Sequence, residues 1–126
     1  GYTFENVCMS HILPLKKALG IAGISTATSS FFAKPKDGLA GTQIDLLIER
    51  ADNTIHLCEI KFLADELIID KEMAENLRNK RTIFNYHTKN KKHIFNTIIT
   101  TYGLKPNNYS RQNIDQIITM ESLFDI

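Results

Sequence analysis

The sequence predicts an α/β domain with a central mixed β-sheet flanked by helices, in the order α-β-β-β-α-β-β. Three observations carry that prediction. Segments with the apolar period of a helix alternate with short β-branched runs, and such alternation implies a sheet covered by helices. Two of the runs follow each other across a short polar turn and read as a hairpin. The length of 126 residues with 43% hydrophobic content suits one core, so residues 1–126 are expected to form a single domain.

Phe4, Val7, Cys8, Leu15, Ala18 and Leu19 fit one face of a helix from about Tyr2 to Leu19, ended by Gly20. Pro14 removes one intrahelical bond, so the helix should kink or restart there with Pro14 early in the second piece. The stretch from about Gly23 to Ala33 reads as a strand, and its weak polarity contrast suits a sheet edge or a wet surface. Lys34 to Thr42, with one proline and two glycines, is a loop. Ile44–Arg50 and Ile55–Phe62 are the two hairpin strands. Asp70 is the expected N-cap of a long helix to about Thr88, with Met73, Leu77, Phe84 and His87 facing inward. His93–Thr101 reads as a buried strand, Tyr102–Asn113 as a polar loop, Ile114–Thr119 as a last strand and Glu121–Asp125 as a final helical turn.

No apolar run approaches the roughly 18 to 20 residues that span a bilayer, and the N-terminus lacks the pattern of a secretory signal. The expectation is a cytoplasmic protein with no membrane partner. Cys8 and Cys58 are too few for a disulfide framework and lack the spacing of a zinc site, so both are expected to be buried thiols. There is no GxxxxGK[ST] and no GxGxxG. The chain starts at Gly1 and opens directly into a helical pattern, as a piece cut from a longer protein would.

Charge is unevenly spread. Residues 1–70 carry six Lys/Arg and nine Asp/Glu, net −3, whereas residues 71–111 carry nine against two, net +7. Carboxylates beside a basic stretch suit a metal-dependent enzyme acting on a polyanion; a solvated basic helix and loop is the plainer alternative.

The chemistry centres on the hairpin. Glu59 and Lys61 are two apart on one strand and share a face, while Cys58 and Ile60 point the other way. Asp45 joins them only in one register. A two-residue turn of Asp52 and Asn53 would pair Asp45 with Ile60. A three-residue turn of Ala51, Asp52 and left-handed Asn53 pairs Arg50 with Thr54 and sets Asp45 opposite Glu59. The three-residue turn is predicted. Asp45, Glu59 and the Ile60 carbonyl then form an oxygen donor set for Mg²⁺ or Mn²⁺. Lys61 would orient a nucleophile or stabilise charge growing on phosphorus. An ion pair at a strand end is the structural alternative.

Asp45, thirteen intervening residues and Glu59-Ile60-Lys61, with an acid on a preceding helix and a helix after, resemble the PD-(D/E)XK nuclease superfamily. The run Gly41-Thr42-Gln43-Ile44-Asp45, then Leu57-Cys58-Glu59-Ile60-Lys61-Phe62, with Ile99-Thr100-Thr101-Tyr102-Gly103-Leu104 downstream, more narrowly resembles the C-terminal nuclease-like domain of prokaryotic AAA-type ATPases. The likeness spans nearly the whole chain; Ile44 stands where the superfamily name has proline. The resemblance implies a restriction-endonuclease-like fold, catalytic roles for Asp45, Glu59, Lys61 and the helical Glu5, Mg²⁺ or Mn²⁺ as cofactor, and an ATPase domain in cis. The implied activity is DNA hydrolysis; the alternative is a catalytically silent module that binds nucleic acid or its ATPase.

Lys71, Lys80, Lys105 and Arg111 are the candidate nucleic-acid contacts. Lys71 opposes the helix dipole unless an anion compensates, and Asp70 or Glu72 could do so. Lys80 falls near the inward helix stripe, where a lysine can snorkel. Tyr102, Lys105, Tyr109 and Arg111 interleave aromatics with cations, as a base-stacking platform does, or simply pack the loop. The four histidines have no ligand spacing.

Overall fold

The computed structural model describes the backbone of residues 4–124 and the side chains of residues 6–124. Its elements are α1 (Phe4–Ser10), α2 (Ile12–Ala18), β1 (Thr26–Ala33), β2 (Thr42–Arg50), β3 (Thr54–Lys61), α3 (Lys71–Thr88), β4 (His93–Thr100), α4 (Asn108–Asn113), β5 (Gln116–Thr119) and α5 (Met120–Phe124). The five strands form one sheet in sequence order. β1, β2 and β3 pair antiparallel. β3, β4 and β5 pair parallel, with α3 as the crossover between β3 and β4. The expected α/β architecture with a mixed sheet is therefore present.

The N-terminal helical stretch breaks at His11, and Pro14 lies in the first turn of α2, where its missing N–H costs nothing. The helix closes with Gly20 at φ 75°, its N–H bonded to the Lys17 carbonyl and that of Ile21 to Lys16, a paired arrangement that satisfies the last carbonyls. On this side of the sheet Cys8, Leu15 and Leu123 join Leu46, Ile48, Cys58, Ile60, Ile99 and Ile118 in one buried cluster. Both cysteines are buried as expected, and burial pushes the Cys58 thiol far up. On the other side Phe84 of α3 packs with Ile44, Leu47, Ile55, Leu57 and Ile94, and Ala74 and Leu77 pack with Leu67, Ile69 and Ile98. The Asp70 carboxylate accepts from the Met73 N–H at 2.8 Å, the predicted N-cap.

Two expectations need correction. The segment Tyr102–Asn113 is not all loop: its second half is α4, capped by reciprocal bonds between Asn107 and Ser110. β1 and β5 are shorter at their starts than predicted, beginning at Thr26 and Gln116. β1 is the sheet edge, as its mixed polarity suggested. Among the described residues no helix is long and apolar enough to cross a membrane.

Gly41 has a steric reason to be glycine. A Cβ there would lie 2.7 Å from the Ala33 carbonyl oxygen and 3.0 Å from Pro35 Cδ. Gly41→Ala is expected to destabilise the fold by about 1–3 kcal/mol through overpacking, read as a lower urea midpoint at unchanged m-value.

His56 is buried in the sheet. Arg50 Nη1 lies 3.3 Å from its Nε2. Arginine only donates, so Nε2 accepts, and Nδ1–H donates to Thr97 Oγ1 at 2.9 Å. Burial first, then the Arg50 charge, lowers the His56 pKa from 6.5 to about 4. Above pH 6.5 the residue contributes no pH dependence. Between 6.5 and about 4 the unfolded chain takes up a proton that the folded one refuses, so stability falls as pH drops. His56→Gln should remove about 2 kcal/mol of the stability loss between pH 7.5 and 4.5 in urea titrations. An unchanged pH slope would refute this assignment.

Candidate functional site

The hairpin turn is the three-residue one. Asn53 adopts φ 66°, and the ladder runs Arg50↔Thr54, Glu49↔Ile55, Ile48↔His56, Leu47↔Leu57 and Leu46↔Cys58. One further step in that register sets Asp45 against Glu59. The β2–β3 ladder stops just short of it, while β2 stays paired to β1 as far as Thr42 and β3 to β4 as far as Lys61. The sheet therefore forks at Asp45 and Glu59.

Glu59 points to the α3 side with Leu57. Its Oε2 accepts from Lys80 Nζ of α3 at 2.9 Å, and its Oε1 lies 3.5 Å from Lys61 Nζ. Lys80 and Glu59 are only 17% and 15% exposed, whereas Lys61 is 42% exposed. Lys80 thus leaves the general basic stretch and joins the ExK pair. Its placement on the inward helix stripe was legible; its ion partner was not.

Asp45 has another neighbour. The β1–β2 pairing shifts between Ser29↔Leu47 and Phe31↔Ile44, so Asp45 and Leu46 together oppose Ser30 in a β-bulge. Ile44 and Leu47 consequently both face α3 although three residues apart. Half-buried Asp45 turns with Gln43, whose Nε2 donates to its Oδ1 at 2.8 Å. The structure thus brings together Glu59, Lys61 and Lys80, with Asp45 across the fork on its own partner. Glu5 lies in α1, but its side chain is outside the described residues.

The oxygen donors at the fork are the Asp45 and Glu59 carboxylates and the Ile60 carbonyl. By type they suit a hard dication, but the Asp45 carboxylate turns with Gln43 to the face opposite Ile44 while Glu59 faces α3, so the set is not gathered at one point. Among the described residues no three His, Cys, Asp or Glu side chains gather to hold a metal on their own. Any cation at Glu59 also has to contend with the two ammonium groups already there.

Lys61 forms part of the wall of an open cleft of about 570 Å³ with Asp70, Glu72, Met73, Glu75, Asn76 and Asn79. That wall is acidic, so a polyanion meets repulsion from the first turns of α3. A cleft of about 600 Å³ lies at the hairpin-turn end of the sheet, lined by Phe31, Ile55, Phe84 and the loop Lys89–Lys92, and it includes neither Glu59 nor Lys61. Lys71 is exposed beside Asp70 and Glu72. The loop carrying Lys105 is tied to the entry of α3 by Lys105 N–H to the Leu67 carbonyl at 2.8 Å, and by Asn107 Nδ2 to Ile69 at 2.9 Å. Arg111 is exposed on α4 and bonds Asn108. Tyr102 and Tyr109 are exposed, which departs from the packing role weighed for them. Sequence reasoning missed Thr100, paired with Lys61 across β3–β4: its buried Oγ1 has no hydrogen-bond partner among the described residues.

No family model and no curated protein matches this chain. A crystal structure of a protein of unknown function, AF1548, is similar in fold, with TM-score 0.60 and 16% identity over 93% of this chain. The match spans 64% of the length of that chain, and at this identity it supports the α/β architecture alone.

Proposed function

We propose that this domain is a PD-(D/E)XK-type nuclease that hydrolyses phosphodiester bonds in nucleic acid, DNA before RNA. In this reading it works in the cytoplasm under an ATPase domain of the same polypeptide. The supporting observation is that Glu59 and Lys61 share one face of β3 at the point where the β2–β3 ladder ends, with Lys61 accessible. A one-residue slip would have turned Glu59 and Lys61 away from α3.

In this reading Glu59 and the Ile60 carbonyl would hold Mg²⁺ or Mn²⁺, joined by Asp45 once its carboxylate leaves Gln43 and turns across the fork. The ion's chemistry is to polarise a phosphoryl oxygen and acidify a bound water. Lys61, the more exposed of the two lysines, presents a cation to the equatorial phosphate oxygens, where charge grows. Glu59 aims that ammonium through their ion pair. Lys105 and Arg111, on the less acidic flank near α4, would carry the strand's other phosphates. Lys71 would contribute little, because its acidic neighbours offset it.

A second reading, a silent binding module, draws on a specific observation: Glu59 is neutralised by two lysines and Asp45 is satisfied by Gln43. The two readings part in one assay. Incubated with supercoiled plasmid and Mn²⁺ or Mg²⁺, the domain is expected to nick DNA, with activity lost on adding EDTA. Lys61→Ala and Asp45→Asn should each lower the rate at least about 100-fold. Plasmid retardation without nicking, repeated with the ATPase domain attached, would overturn the nuclease reading in favour of the binding module.

A further inference from the structure

We propose that the cleft at the hairpin-turn end of the sheet binds a nucleotide, with its base against Phe31 and its phosphate on Lys89 and Lys91. The site includes neither Glu59 nor Lys61, needs no metal, and stands whether or not the domain cuts nucleic acid.

The floor of the cleft is apolar. Leu47, Ile55 and Phe84 are buried, and half-buried Phe31 stands edge-on to Phe84 with ring centroids 5.2 Å apart. The opening, about 600 Å³, is of the size that takes a small organic ligand. Its rim is basic, with Lys89, Lys91 and Lys92 against one carboxylate, Glu49. Lys92 Nζ lies 2.8 Å from Glu49 Oε1, so those two neutralise each other. Lys89 and Lys91 are exposed and have no ion partner among the described residues. Ser30 and Asn53 also line the cleft, and their side chains make no hydrogen bond among the described residues.

An apolar floor under a basic rim would suit a fatty acid as well. The Asn53 amide and the Ser30 hydroxyl favour a heterocycle instead, because its ring nitrogens and exocyclic groups can pair with them, whereas an alkyl chain would leave both unsatisfied. The two unpaired ammonium groups suit a phosphate. The loop that carries them is already set in place. Asn90 Nδ2 donates to Asn85 Oδ1 at 3.1 Å and to the Lys92 carbonyl at 2.9 Å, and its Oδ1 accepts from the Lys92 N–H at 3.0 Å. Binding therefore costs little ordering there. In the rival account Lys89, at the left-handed C-cap of α3, serves the negative end of the helix, and Lys91 is a solvated charge. That account predicts lost stability on substitution and no ligand.

Two sources supply such a nucleotide, a free mononucleotide and an unpaired nucleotide of a strand, and the test separates them. Equilibrium dialysis in EDTA uses adenosine monophosphate, adenosine and dodecanoate, and anisotropy in EDTA uses a labelled single-stranded oligonucleotide. The variants are Phe31→Leu and the double change Lys89→Asn with Lys91→Gln, asparagine being tolerant of the left-handed backbone at 89. Circular dichroism checks that each folds. The monophosphate should bind saturably and adenosine about tenfold more weakly. The double variant should lower affinity for the monophosphate at least about tenfold and leave adenosine unchanged, whereas Phe31→Leu should weaken both about fivefold. Displacement of the oligonucleotide by the monophosphate assigns the site to a strand, and monophosphate binding without displacement assigns it to a free nucleotide; both uphold the proposal. It is overturned if neither nucleotide nor oligonucleotide binds, if the double variant binds the monophosphate as wild type does, or if dodecanoate binds and the monophosphate does not. Should Phe31→Leu fail to fold, the double variant decides, since its two positions are exposed. Absence of plasmid nicking bears on the nuclease reading and leaves this site untouched.

Discussion

The register of one hairpin governs what this molecule can do. Asn53 accepts the left-handed conformation that a three-residue turn requires, and Arg50 then meets Thr54. From that pairing the rest of the ladder follows by twos. Cys58 and Ile60 go to the cluster under the N-terminal helices, and Leu57 and Glu59 go to α3. A residue that resisted positive φ at position 53 would disfavour this turn, and a slip by one would bury Glu59 among apolar groups with nothing to neutralise it. Core burial and site geometry thus hang on the same turn, and one cannot be altered without the other.

The fork shows how a sheet makes room for chemistry. Beyond the last β2–β3 pair, β2 stays paired to β1 and β3 to β4, so the two central strands part while each keeps one neighbour. The bulge at Asp45 and Leu46 loosens the alternation at that place. Gly41, a few residues away, serves a different end: it lets β2 begin close against Ala33. Part of the conspicuous run from Gly41 to Asp45 is therefore explained by backbone packing, and only its last residue by charge.

Much of this was legible in the sequence because it is local. The turn, the N-cap at Asp70 and the period of α3 depend on neighbours within a few positions. The bulge was not, since Ile44 and Leu46 to Ile48 are all apolar and give alternation no contrast to reveal a break. The bond between Lys80 and Glu59 joins residues 21 positions apart on different elements, and no local pattern encodes it. α4 was missed for another reason. Asn107 with Ser110 three residues on is a helix-start signal, but the polar, aromatic composition around it reads as loop.

The sheet is built from two topologically unlike halves, which bears on the order in which the site comes together. β1 to β3 are joined by short connections and pair antiparallel, so their contacts need little chain closure. β4 and β5 pair in parallel and wait for a long crossover to fold back. Asp45 and Glu59 both belong to the first half, and Lys80 rides on the crossover. Glu59 is thus expected to be set on its face of the hairpin early in folding, before the lysine arrives. The lysine's docking onto Glu59 then makes the approach of α3 to the sheet an electrostatically favoured step as well as a hydrophobic one.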